Sequence, residues 1–134
     1  MLDKHSAIKA ILEEFPSFED DLKEHLNNNS MANVTMCYCM IPFITFVFEN
    51  CIRKQDSEQT KKAMVLIEKC ISDGDEDVNY GAELCFLESI TNRLLNKNDS
   101  KLTRFFVNNL EPYSKQFCIE IDKFSGTQTP GLET

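Results

Sequence analysis

Apolar residues recur along this chain three or four positions apart, and almost nowhere at the alternating spacing of a half-buried strand. Leu2, Ile8, Ile11, Leu12 and Phe15 form the first such stripe, with Lys4, Lys9, Glu13 and Glu14 on the other faces. Pro16 ends that helix, because proline pushes the residue before it out of the helical region. Ser17 and Asp20 then make an approximate capping box for a second helix, whose stripe is Phe18, Leu22 and Leu26. Residues 27–30, Asn-Asn-Asn-Ser, read as a loop. From Val34 to Lys54 the chain is nearly all apolar until Glu49. That run exceeds the usual strand length, so it is assigned as a central buried helix, with Pro42 in its first turn or at a kink.

Asp56 and Gln59 open a fourth helix through Ala63, Met64, Ile67, Cys70 and Ile71, and Gly74 stands where a left-handed C-cap is expected. Asp75, Glu76 and Asp77 begin a fifth helix, where the macrodipole favours acids. It continues through Val78, Ala82, Cys85, Phe86, Ile90 and Leu94. After a polar loop at 96–100, Leu102, Phe105, Phe106 and Leu110 predict a short sixth helix. Pro112 suits the first position of a seventh, which carries Phe117, Cys118, Ile121 and Phe124. The expected fold is all-α: one domain over 1–125, a compact bundle of about six or seven antiparallel helices or a short α-solenoid. Residues 126–134 lack periodicity and are expected to form a flexible C-terminal tail.

Charge narrows the function. Among 134 residues, 14 Lys and Arg face 22 Asp and Glu, a net charge of −8. That balance argues against direct binding of nucleic acid or of an anionic membrane surface, since both need cations. The N-terminus shows no basic region followed by an apolar run, and the apolar stretch Met36–Phe48 is too short to cross a bilayer. A cytoplasmic protein is expected, with its six cysteines as free thiols.

Catalytic constellations are hard to assemble. The two histidines, His5 and His25, both fall on helices near the N-terminus and are expected to face solvent. Cys37 and Cys39 lack the second ligand pair that a structural zinc site needs. Asp73–Asn79 resembles the start of a calcium loop, but Val78 stands where glycine is required and Leu84 where glutamate is. No glycine-rich phosphate loop is found. The expectation is therefore no catalytic residue, no metal, no cofactor and no enzyme activity. What stands out is acid placement: Asp73, Asp75, Glu76 and Asp77, extended by Tyr80 and Glu83, and a second group around Glu19, Asp20 and Asp21. Each is either a solvated face or a patch that steers a basic protein partner.

Two stretches carry a resemblance. Ile67-Glu-Lys followed by an acidic glycine turn, then Phe86-Leu-Glu, and the late Leu110-Glu-Pro-Tyr-Ser114 turn resemble a family of small all-helical bacterial proteins, mostly of unassigned function. These are similar to immunity proteins of polymorphic-toxin and contact-dependent growth inhibition systems. Glu111 stands where many of those relatives have glycine, and the cysteines are this chain's own. The resemblance implies no catalytic site. It implies an immunity protein that binds a cognate toxin domain, expected to be a basic nuclease, and occludes its active site or substrate surface. Such a protein would be a monomer or weak dimer alone.

Two other classes stay open. A helical scaffold or adaptor predicts an exposed apolar groove near Phe43–Phe48 that takes a partner helix or peptide. A thiol enzyme or redox sensor at Cys37 and Cys39 needs an exposed, reactive cysteine.

Overall fold

Short polar side chains placed just ahead of the apolar runs fix where the helices begin. In the computed structural model, which describes residues 1–132, Asp3 caps α1 (Lys4–Glu14) and Thr35 caps α3 (Met36–Val47). Asp56 caps α4 (Ser57–Asp73), Asp75 caps α5 (Glu76–Tyr80) and Asp99 caps α7 (Ser100–Asn108). Each side chain accepts a backbone N–H of the first turn, replacing a bond the helix cannot supply. The remaining helices are α2 (Glu19–Leu26), α6 (Glu88–Lys97) and α8 (Pro112–Ser125). No strand forms among the described residues; the fold is all-α. None of these helices is long and apolar enough to cross a membrane.

Two of the rods are wound partly as π-helix. Phe48–Ile52 prolongs α3, and Gly81–Leu87 joins α5 to α6 without a break. Pro42 lies inside α3, not in its first turn. The chain returns along α4, so the α3 and α5–α6 rods run the same way: Met36 meets Asp77, Phe43 meets Phe86, and Phe48 lies under Arg93 and Lys97. Gly81 permits this approach, because a Cβ there would stand 2.7 Å from Met36 Cγ. Phe43 ties the layers together, with ring centroids 5.0 Å from Phe18 and 5.7 Å from Phe86.

Three local expectations are corrected. Ser17 lies within a 3-10 turn, Pro16–Phe18, and no side chain caps the start of α2. Gly74 is not left-handed; at φ −71° and ψ 150° it is extended, and Leu2 pairs beside it, donating to the Asp73 carbonyl and accepting from Asp75 N. Glycine is required there for space, since a Cβ would collide with the Cys70 carbonyl oxygen. The segment expected as a free tail folds back as far as it is described. Gly126 ends α8 at φ 70°, the Asp122 carboxylate accepts from Thr127 Oγ1, Thr129 Oγ1 and Thr129 N, and Thr129 and Leu132 are buried. Residues 133 and 134 of that expected tail lie outside the described residues.

Candidate functional site

Several acids that look like surface charge are structural. Asp75 caps its own helix, and Asp77 reaches across to α3, where both carboxylate oxygens accept from Met36 N at 3.2 and 3.1 Å. Glu68 on α4 does the same for α8, accepting from Tyr113 N at 2.8 Å and from Ser114 N and Oγ at 2.9 Å. Lys61 pairs with Glu111 beside it. Cys118 packs under Thr91, which completes the seating of α8 against α6.

That seating brings Glu120 of α8 into electrostatic reach of Glu83 on the π-helical segment. Burial pushes the Glu83 carboxyl above its ordinary range, and the charge of Glu120 pushes it further the same way. No Lys or Arg pairs with either acid among the described residues. Large apolar side chains flank them. Tyr80 is 54% exposed and Leu84, one turn on, is 39% exposed. Phe124, one turn beyond Glu120, is 91% exposed. The π-helical segment and α8 thus bring Glu83 and Glu120, neither paired with a cation, to one face. α5, the π-helical segment and α8 carry the exposed Tyr80, Leu84 and Phe124 at neighbouring positions of the chain.

The remaining candidates lie elsewhere. Glu76 is exposed at the start of α5, while Asp73 lines a shallow hollow that also holds Lys69. Glu19, Asp20 and Asp21 are exposed on the first turn of α2, with Glu19 paired to Lys23 at 3.4 Å. Asp21 borders a second hollow of about 500 Å³ with Glu24, His25, Pro42 and Glu49. His25 is half-buried, not solvent-facing; its ring packs on Tyr38, and its Nε2 has neither solvent nor a hydrogen-bond partner. Glu49 is already held by Arg53 at 2.8 Å. Tyr80 and Glu83 are legible in the sequence as site candidates, whereas Leu84, Glu120 and Phe124 are not. The usable signal was the spacing of Tyr113, Phe117, Glu120 and Phe124, a stripe separate from the buried Ser114 and Cys118.

Cysteines divide sharply. Cys39, Cys51, Cys70 and Cys118 are free and buried. Burial pushes the Cys39 thiol up, Cys51 to about 11, and Cys70 and Cys118 to about 12, so each stays protonated. Cys37 and Cys85, the two half-buried ones, are joined as a disulfide with their Cα atoms 5.6 Å apart. This corrects the expectation of six free thiols. Among the described residues, no three His, Cys, Asp or Glu side chains converge as metal ligands.

One family model spans residues 8–126, which takes in all of the face just described. The chain belongs to DUF7674, a domain of unknown function. No curated protein and no solved structure matches it. The DUF7674 match begins inside α1 and ends at the glycine that closes α8, so Leu2, Asp3, Thr129 and Leu132 fall outside it.

Proposed function

We propose that this DUF7674 chain is a bacterial immunity protein, binding a cognate toxin domain of basic surface and covering its active site or substrate surface without enzymatic chemistry. The observation that carries the reading is the approach of Glu83 and Glu120, neither with a cation partner, on elements that also expose Tyr80, Leu84 and Phe124. Aromatic anchors desolvated beside charges are what interface hot spots are made of. Two carboxylates that repel each other in the free chain gain most from an incoming cation, and a net charge of −8 speeds the encounter. The adaptor reading has less support, because Phe43 and Phe48, around which its groove was expected, are both buried.

The test is co-expression with a candidate toxin domain of basic surface, taken from a reading frame next to this chain's own. Growth arrest by that domain alone, relieved by the wild-type chain and not by a Glu83→Lys, Glu120→Lys double variant, supports immunity at this face. Relief that survives the double variant moves the interface elsewhere. No relief by the wild type sinks the immunity reading.

A further inference from the structure

Cys37 lies in the first turn of α3 and Cys85 in the middle of the π-helical segment, between the exposed Leu84 and the buried Phe86. They are 48 positions apart in sequence, yet their Cα separation of 5.6 Å lies within the range a disulfide spans without backbone movement. They are also the two cysteines with solvent access, while the other four are enclosed by the core. Several contacts that do not involve sulfur hold the pair in register: Asp77 on Met36 N, Gly81 against Met36, and Phe43 on Phe86. The two thiols therefore stay adjacent when reduced, and the bond can open and close without unfolding the chain.

We propose that Cys37 and Cys85 form a thiol–disulfide exchange site that reacts with low-molecular-weight disulfides of the glutathione class. One thiolate of the pair attacks a sulfur of the small disulfide, forming a mixed disulfide and releasing one small thiolate. The other thiolate of the pair then attacks the protein sulfur of that mixed disulfide, closing the Cys37–Cys85 bond and releasing the second small thiolate. Two electrons pass from the pair to the small disulfide, and the two thiol protons leave with the two small thiols. A thiol in excess runs the same steps backwards. The closed bond fixes the π-helical segment to α3, and with it the outward set of Tyr80 and Leu84. The buried thiols, held protonated by their surroundings, are spectators.

The experiment uses the full chain, reduced, freed of reductant and alkylated in the native state before or after exposure to oxidised glutathione, with peptide mass spectrometry to place the label. Reduced protein is expected to label at Cys37 and Cys85 about tenfold faster than at the other four cysteines. After oxidised glutathione, that labelling is lost and a peptide joining Cys37 to Cys85 appears, both reversed by dithiothreitol. Cys37→Ser and Cys85→Ser variants each stop at a glutathione adduct on the remaining cysteine. A wild-type chain that keeps a stable adduct, that stays fully alkylatable, or whose cross-link involves Cys39, Cys51, Cys70 or Cys118 overturns the proposal. The wild-type arm decides the matter even if a serine variant fails to fold.

Discussion

Asp77 holds the backbone N–H of Met36 with both of its carboxylate oxygens, so an acid at the start of one rod caps the start of another. An acid of this kind is indistinguishable in the sequence from one that meets a partner. Asp77→Ala should cost about 1–2 kcal/mol of stability in urea unfolding, the usual loss for a cap. Glu76→Ala, exposed one position earlier, should stay within about 0.5 kcal/mol of wild type. Equal losses from both would show that Asp77 is not acting as a cap.

Glu83 gives the pH dependence a sign. Its folded-state pKa is raised above 4.5, so between that value and the folded one the native chain holds more protons than the unfolded chain. Stability therefore falls as pH rises through this window, and the loss persists at neutral pH. Glu83→Gln should stabilise the free chain at pH 7 by less than about 1 kcal/mol, because the site is largely solvent-screened. The gain should vanish below pH 4.5, where the unfolded carboxyl is protonated too. The same variant should weaken partner binding about tenfold by calorimetry. A variant that stabilises the free chain while binding is retained would separate Glu83 from the interface.

Phe124 makes the opposite case. With 91% exposure it contributes almost nothing to folding, so Phe124→Ala should leave the urea midpoint unchanged. As an interface anchor it should cost about 2 kcal/mol of binding free energy, measured by titration with the partner. An unchanged affinity would remove α8 from the face.

Gly81 should reverse a common rule. Its backbone is helical, at φ −61° and ψ −39°, where alanine ordinarily stabilises. Here a Cβ meets Met36 Cγ at 2.7 Å and the Met36 carbonyl carbon at 3.3 Å, inside a fully buried contact. Gly81→Ala should lower stability by about 1–3 kcal/mol, as overpacking does. A thermal melt at or above wild type would mean that the two rods can move apart.

Closing the Cys37–Cys85 bond should raise the melting temperature by about 10 °C, from the 2–4 kcal/mol that cross-linking a loop of this length typically supplies. Scanning calorimetry with and without reductant reads this directly. Coincident melts would show that the bond constrains nothing in the unfolded chain.

The helices were legible because each carries its own apolar stripe and most carry their own cap; Asp56 with Gln59 is a local signal that the structure repeats as drawn. What acts across the sequence was not legible. Nothing near Glu68 announces that it caps a helix starting more than forty residues later, and nothing near Asp77 points to Met36. The π-helical segment Gly81–Leu87 packs on α3, and in the sequence its residues look like ordinary helix. Phe124 misled for a related reason. A stripe of aromatics at helical spacing shows that a face is apolar and not that another element covers it, and α8 buries Ser114 and Cys118 instead.

Leu2 is bonded on both sides of its peptide unit to the turn between α4 and α5, through the Asp73 carbonyl and Asp75 N. During synthesis that turn leaves the ribosome about seventy residues after Leu2, a delay of about 4–14 s at ordinary elongation rates. Until then only Lys4, through the Val34 carbonyl, has a partner for the start of α1, and Ala7, Ile8 and Ile11 await the α4 face they pack against. The turn that fixes the backbone of residue 2 thus closes the fold across its first half, and the chain cannot complete its first helix's setting before its middle has been made.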